Sequence, residues 1–167
     1  MKKLSKIVAL LLAGALTMLL FTACGGGGGS NLTAQKDEEE KVVSLIGKKQ
    51  NNVAVVNDGD LRAVAEGHLR EDLNGGFQFG NHKFIANVHV DGEKQDYLIV
   101  TVTANYTYNE TLLSSILKAI TDSDKVPKEF KGSLNQSGSW SKVGVAVLSN
   151  TEQSYIGVSI RIDNPKK

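Results

Sequence analysis

The chain has one cysteine, and its position limits everything that can fold behind it. Cys24 follows Phe21-Thr22-Ala23 and precedes the glycine run Gly25 to Gly29. A lone thiol has no internal partner, so the domain beyond it must be held by an apolar core without disulfides. Upstream, Lys2, Lys3 and Lys6 form a basic n-region, Ile7 to Leu20 an apolar h-region, and Ala23 supplies a small residue at the boundary. That order predicts a secretory signal peptide over residues 1–23, cut before Cys24, with the thiol taken by a lipid.

A membrane-spanning anchor is the plainer alternative. The stretch Ile7 to Ala23 contains Gly14, Thr17 and Thr22. At about 17 residues it stands at the lower limit for crossing a hydrocarbon core. The segment resembles the bacterial lipobox at Thr22, Ala23 and Cys24, and departs from it at Phe21, where an aliphatic residue is usual. Such a cysteine carries several acyl chains, and two or more give stable anchoring. Residues 24–35, with their glycine run and Ser30, read as a lipidated tether of flexible composition. The expected location is the extracytoplasmic face of the cell membrane.

Residues 36–167 are then one domain, too short for two ordinary cores. The signal segment holds three of the 19 basic residues and none of the 18 acidic ones, so the remainder has a formal charge near −2. No basic stripe is present to follow a phosphate backbone, which disfavours nucleic-acid binding.

The patterning alternates between two periods. Residues 36–48 place Asp37 to Glu40 at the front, Val42, Val43, Leu45 and Ile46 within, and Lys48 and Lys49 behind, as a helix dipole favours. Asn57 or Asp58 can cap a second helix over 60–73, with the stripe Leu61, Val64, Ala65, Leu69, Leu73 and a stop at Gly75-Gly76. Residues 83–90 and 96–106 alternate as strands joined through Asp91-Gly92. Asn109 can cap a helix over 110–121, residues 122–139 read as irregular, and 140–149 and 154–162 form a closing hairpin. Helix, helix, hairpin, helix, hairpin implies an α+β domain with a mainly antiparallel sheet.

Chemistry is sparse. A metal site needs three or four convergent ligands. His68, His82 and His89 fall on a helix, a loop and a strand at no recognised ligand spacing, although His89 and Asp91 share a strand face. The bland reading, three unconnected histidines, is the stronger one. No nucleophile elbow or phosphate loop appears, Ser133, Ser137 and Ser139 have no histidine near them in sequence, and Glu66 and Arg70 make an ordinary i,i+4 pair. Phe77, Phe79, Tyr106, Tyr108 and Trp140 offer a groove for a glycan or peptide, against the plainer reading that most are core.

Several stretches resemble the CAP superfamily, the SCP-like extracellular domains. The closest is Trp140-Ser141-Lys142-Val143-Gly144-Val145-Ala146-Val147 followed by Tyr155-Ile156-Gly157-Val158-Ser159-Ile160, which is similar to that family's closing hairpin. Gly144 would there let a helix approach the sheet. Weaker matches are Asp60-Leu61-Arg62-Ala63-Val64-Ala65 and Thr103-Ala104-Asn105-Tyr106. The resemblance implies an α-β-α sandwich and a cleft of two histidines and two acids, which binds a divalent metal in some members. His82 falls near the first histidine's place, Ala104 stands where glutamate is usual, and no histidine follows His89. What the resemblance implies is thus a degenerate cleft around His82, His68 and Tyr106, without metal, cofactor or catalysis. The expected role is a binding module at the envelope, with a glycan or protein as partner. The competing expectations are a metal-assisted hydrolase using His82 and His89, and an unrelated α+β lipoprotein.

Overall fold

The computed structural model describes residues 32–49, 56–80, 82–107, 112–131, 140–164 and 166. The signal segment, Cys24 and the glycine run lie outside the described residues, as do Tyr108, Asn109, Ser133, Ser137 and Ser139.

The described elements are strand β1 (Thr33–Ala34), helices α1 (Lys36–Lys49) and α2 (Gly59–Gly75), and strands β2 (Phe77–Phe79), β3 (His82–Phe84), β4 (Ala86–Asp91) and β5 (Tyr97–Asn105). Helices α3 (Leu112–Asp122) and α4 (Lys128–Lys131) follow, then strands β6 (Trp140–Ser149) and β7 (Ser154–Asp163). The main sheet runs β1-β6-β7-β5-β4, antiparallel throughout, and β2 pairs with β3 alone. The chain is an α+β protein. The β4–β5 hairpin is built into the main sheet and does not stand apart from it.

Period-two patterning sorts the sheet into two faces. Leu98, Val100 and Val102 of β5, Val143, Val145 and Val147 of β6, and Ile156, Val158, Ile160 and Ile162 of β7 are buried on one. Val42, Val43 and Ile46 of α1, Ile116 and Ile120 of α3, and Phe130 of α4 pack against them. Trp140 joins this core because the β6–β7 register shifts between Trp140 and Lys142. Without the extra residue, Trp140 and Val143 would face opposite ways.

The other face receives α2 through its buried stripe Leu61, Ala65, Leu69 and Leu73. Contact there is backbone on backbone. A Cβ on Gly144 would stand 2.2 Å from the Leu61 carbonyl carbon and from the Arg62 nitrogen, and one on Gly157 would stand 2.6 Å from the Ala65 oxygen. The close approach expected of Gly144 is what the structure has, and Gly157 shares it.

Three expectations need correction. Leu32 to Gln35 belong to the fold and not to the tether: Thr33 and Ala34 pair with β6, and the Gln35 N–H donates to the Val147 carbonyl at 2.9 Å. The strand expected over 83–90 is two strands, broken at Ile85, whose buried side chain turns into a small cluster with Leu69, Leu73, Leu148 and Tyr155. The segment expected to be irregular contains α4, whose Phe130 is fully buried.

Candidate functional site

Two groups of side chains stand out, a histidine–aspartate cluster between α2 and β4 and an aromatic face on the β2–β3 hairpin. In the first, α2 contributes His68 and Asp72, four residues apart and so on one side of the helix. Strand β4 contributes His89 and Asp91, two apart and on one side of the strand. The pairs cross. His68 Nε2 lies 2.7 Å from Asp91 Oδ2, and His89 Nε2 lies 2.8 Å from Asp72 Oδ2. The imidazoles stack with centroids 4.1 Å apart and planes 14° from parallel. Thr103, fully buried on β5, donates its hydroxyl to the same Asp72 oxygen.

Ionised carboxylates only accept, so both Nε2 atoms are assigned as donors from the network. His68 Nδ1 is buried without a hydrogen-bond partner, and a Glu71 carboxylate oxygen lies 3.6 Å from it. Each histidine is thus tied to one carboxylate and faces the other ring. Among the described residues, no three of His, Cys, Asp and Glu are grouped to hold a metal ion. The nearby hydroxyls are engaged elsewhere, Thr103 with Asp72 and Thr101 with Ser159 at 2.7 Å. The arrangement clips the edge strand β4 to α2.

A second polar knot closes the opposite edge. Glu39 is buried and accepts from Arg62 Nε at 2.7 Å, Arg62 Nη2 at 2.8 Å and the Val147 N–H at 3.1 Å. Asn57 donates to the Val145 carbonyl at 2.9 Å and accepts from the Val145 N–H at 2.8 Å. The Asp58 N–H donates to the Val143 carbonyl at 2.9 Å. The free edge of β6 is therefore satisfied by side chains and loop backbone where β1 stops short, which blunts strand addition. The Glu39 carboxylate raises the Arg62 guanidinium further above its ordinary value. Asp58, the N-cap of α2, is held below the ordinary carboxylate range by the Leu61 N–H and by Lys142.

The structure does not assemble the cleft expected from His82, His68 and Tyr106. Tyr106 is buried in the α1–α3 core and donates to Glu38 at 3.1 Å, His68 is on α2 across the sheet, and His82 is exposed on β3. His82 and His89 likewise fall in different sheets. Of the aromatics proposed for a groove, Trp140 and Tyr106 are core, whereas Phe77 and Phe79 are 71% and 74% exposed. Phe84, within the stretch 83–90 expected as a single strand, is 50% exposed. The surface hollow of about 470 Å³ on α1, lined by Asp37, Glu40, Lys41, Ser44, Leu45 and Lys48, contains none of these groups.

Comparison with protein-family models, curated proteins and solved structures finds no match. Among the described residues no helix is long and apolar enough to cross a membrane.

Proposed function

We propose that the chain is a lipid-anchored protein of the bacterial envelope, attached through Cys24, whose folded domain is a non-catalytic interaction module. The observation that carries the reading is the spacing of two boundaries. Leu32 is already packed in the domain, and the cysteine behind the apolar leader lies eight residues earlier, across a run of glycines. That is the layout of a domain held close to a lipid surface by a short covalent lead. Exposed Phe77, Phe79 and Phe84 supply a contact surface, and His68 and His89 are each occupied by an aspartate. Kinship with the CAP superfamily belongs to the same proposal. A sheet between helices, and a closing hairpin met by a helix at Gly144, support it.

Labelling with radioactive palmitate in a bacterial host tests the anchor. The wild-type chain takes up label and the Cys24→Ala chain does not; equal labelling of both, or of neither, refutes lipidation at this residue. For the domain, His82→Ala leaves the fold intact, whereas loss of a hydrolytic activity in that variant would return the reading to an enzyme.

A further inference from the structure

The register Phe77↔Phe84 and Phe79↔His82 puts these four side chains on one face of the β2–β3 hairpin. Lys83, on the other face, holds the hairpin to the domain. Its N–H donates to Gln153 Oε1 at 2.7 Å, its carbonyl accepts from Asn105 Nδ2 at 2.8 Å, and its ammonium group bonds the Leu73 carbonyl. A pinned hairpin with three exposed phenylalanines on one side is an interaction surface.

Where the N-terminal segment joins the fold says what covers that surface. Leu32 packs on the cluster of Leu69, Leu73, Ile85, Leu148 and Tyr155, and in that cluster Leu73 lies just before β2 and Ile85 just after β3. Thr33 pairs with Ser149, at the start of the turn whose Gln153 holds Lys83. The incoming segment and the aromatic face share one end of the domain. The chain from Cys24 to Leu32 spans at most about 28 Å at full extension. The β4–β5 turn lies at the other end of a nine-residue strand, roughly 30 Å farther away.

We propose that the Phe77, Phe79 and Phe84 face rests in the interfacial layer of the lipid bilayer, as a second, non-covalent contact beside the lipid on Cys24. This rests on Cys24 being the lipidated residue. Apolar rings enter the boundary between headgroups and acyl chains, and a short tether raises their local concentration there. With a formal charge near −2 beyond residue 23, attraction to anionic lipid is not the driving force, so a neutral surface suffices.

The test uses the full chain reconstituted in phosphatidylcholine vesicles, with ordinary or brominated acyl chains. Phe79→Trp places an indole on the face, and Lys94→Trp places one in the distant β4–β5 turn; Trp140, 2% exposed, is a constant background. Brominated lipid quenches the Phe79→Trp chain and shifts its emission to the blue, and leaves the Lys94→Trp chain unchanged. Equal quenching of both, or none at position 79, overturns the proposal. A blue shift without quenching also overturns it, because a protein surface or second copy then covers the face. Palmitate labelling of each variant reads the anchor separately. If the chains are unlabelled, the reading of Cys24 falls, and the two quenching results still decide the hairpin contact.

Discussion

Replacing Gly144 with alanine inserts a methyl group where α2 and β6 meet backbone to backbone. The new Cβ would stand 2.2 Å from the Leu61 carbonyl carbon and the Arg62 nitrogen, and 2.5 Å from the Leu61 Cβ. Ordinary contact begins at roughly 3.5 Å, so α2 must retreat by about 1 Å at this crossing. No side chain can rotate away, because two of the three obstacles are backbone. Overpacking of a core costs about 1–3 kcal/mol, and rigid obstacles put this case at the upper end. At about 2–4 °C per kcal/mol for a unit of this size, a cost of about 3 kcal/mol lowers Tm by roughly 6–12 °C. Gly157→Ala acts on the same helix at Ala65, so the double variant should lose less than the sum of the two, since one retreat relieves both clashes. Thermal unfolding followed by circular dichroism, with urea titration alongside, reads all three variants. A Gly144→Ala chain within about 1 °C of wild type, below the shift expected for even a 1 kcal/mol cost, would refute the direct seating of α2 on the sheet.

Removing the shared acceptor of the histidine cluster, as Asp72→Ala, leaves buried Thr103 and His89 without their partner and should cost about 1–3 kcal/mol. Urea unfolding checks it, and an unchanged midpoint would mean that the cluster does not tie β4 to α2. Glu39→Ala strands the Val147 N–H and one side of Arg62, which keeps Glu66 at 3.0 Å. A loss near the lower end of the about 3–5 kcal/mol for a broken buried pair is expected. Asp58 titrates below its unfolded value, so its stabilisation is complete above about pH 4, the unfolded carboxylate range, and is lost as pH falls through the folded value. Asp58→Asn keeps a capping oxygen but does not titrate. Wild type should therefore lose more stability than the variant between about pH 5 and pH 2, and parallel pH profiles would contradict this.

The elements were legible wherever one period ran without interruption. The stripe Leu61, Ala65, Leu69, Leu73 gave α2, and the alternation of Leu98, Val100 and Val102 gave β5 and its buried face. A cap at Asn57 or Asp58 followed from residue type, and Gly144 as contact point came with the resemblance of the closing hairpin. What escaped had no local signal. Nothing near Ile85 marks the break that sends Phe84 outward, because the break is set by distant Asn105, which accepts from the Ile85 N–H at 2.9 Å and donates to the Lys83 carbonyl. The bulge near Ser141 is likewise visible only in the pairing with β7. Half of the histidine cluster was within reach: His68 with Asp72 at helical spacing, and His89 with Asp91 at strand spacing. That each element's histidine binds the other's aspartate depends on how α2 lies across the sheet, which periodicity does not determine.

The proposed lipid at Cys24 is tested most directly by the intact mass of the chain extracted from bacterial membranes. The predicted mass is that of residues 24–167 plus acyl chains, with fragmentation placing the added mass on the N-terminal cysteine. A chain that retains residues 1–23, or one that starts at Cys24 with a free thiol, would contradict the anchored reading.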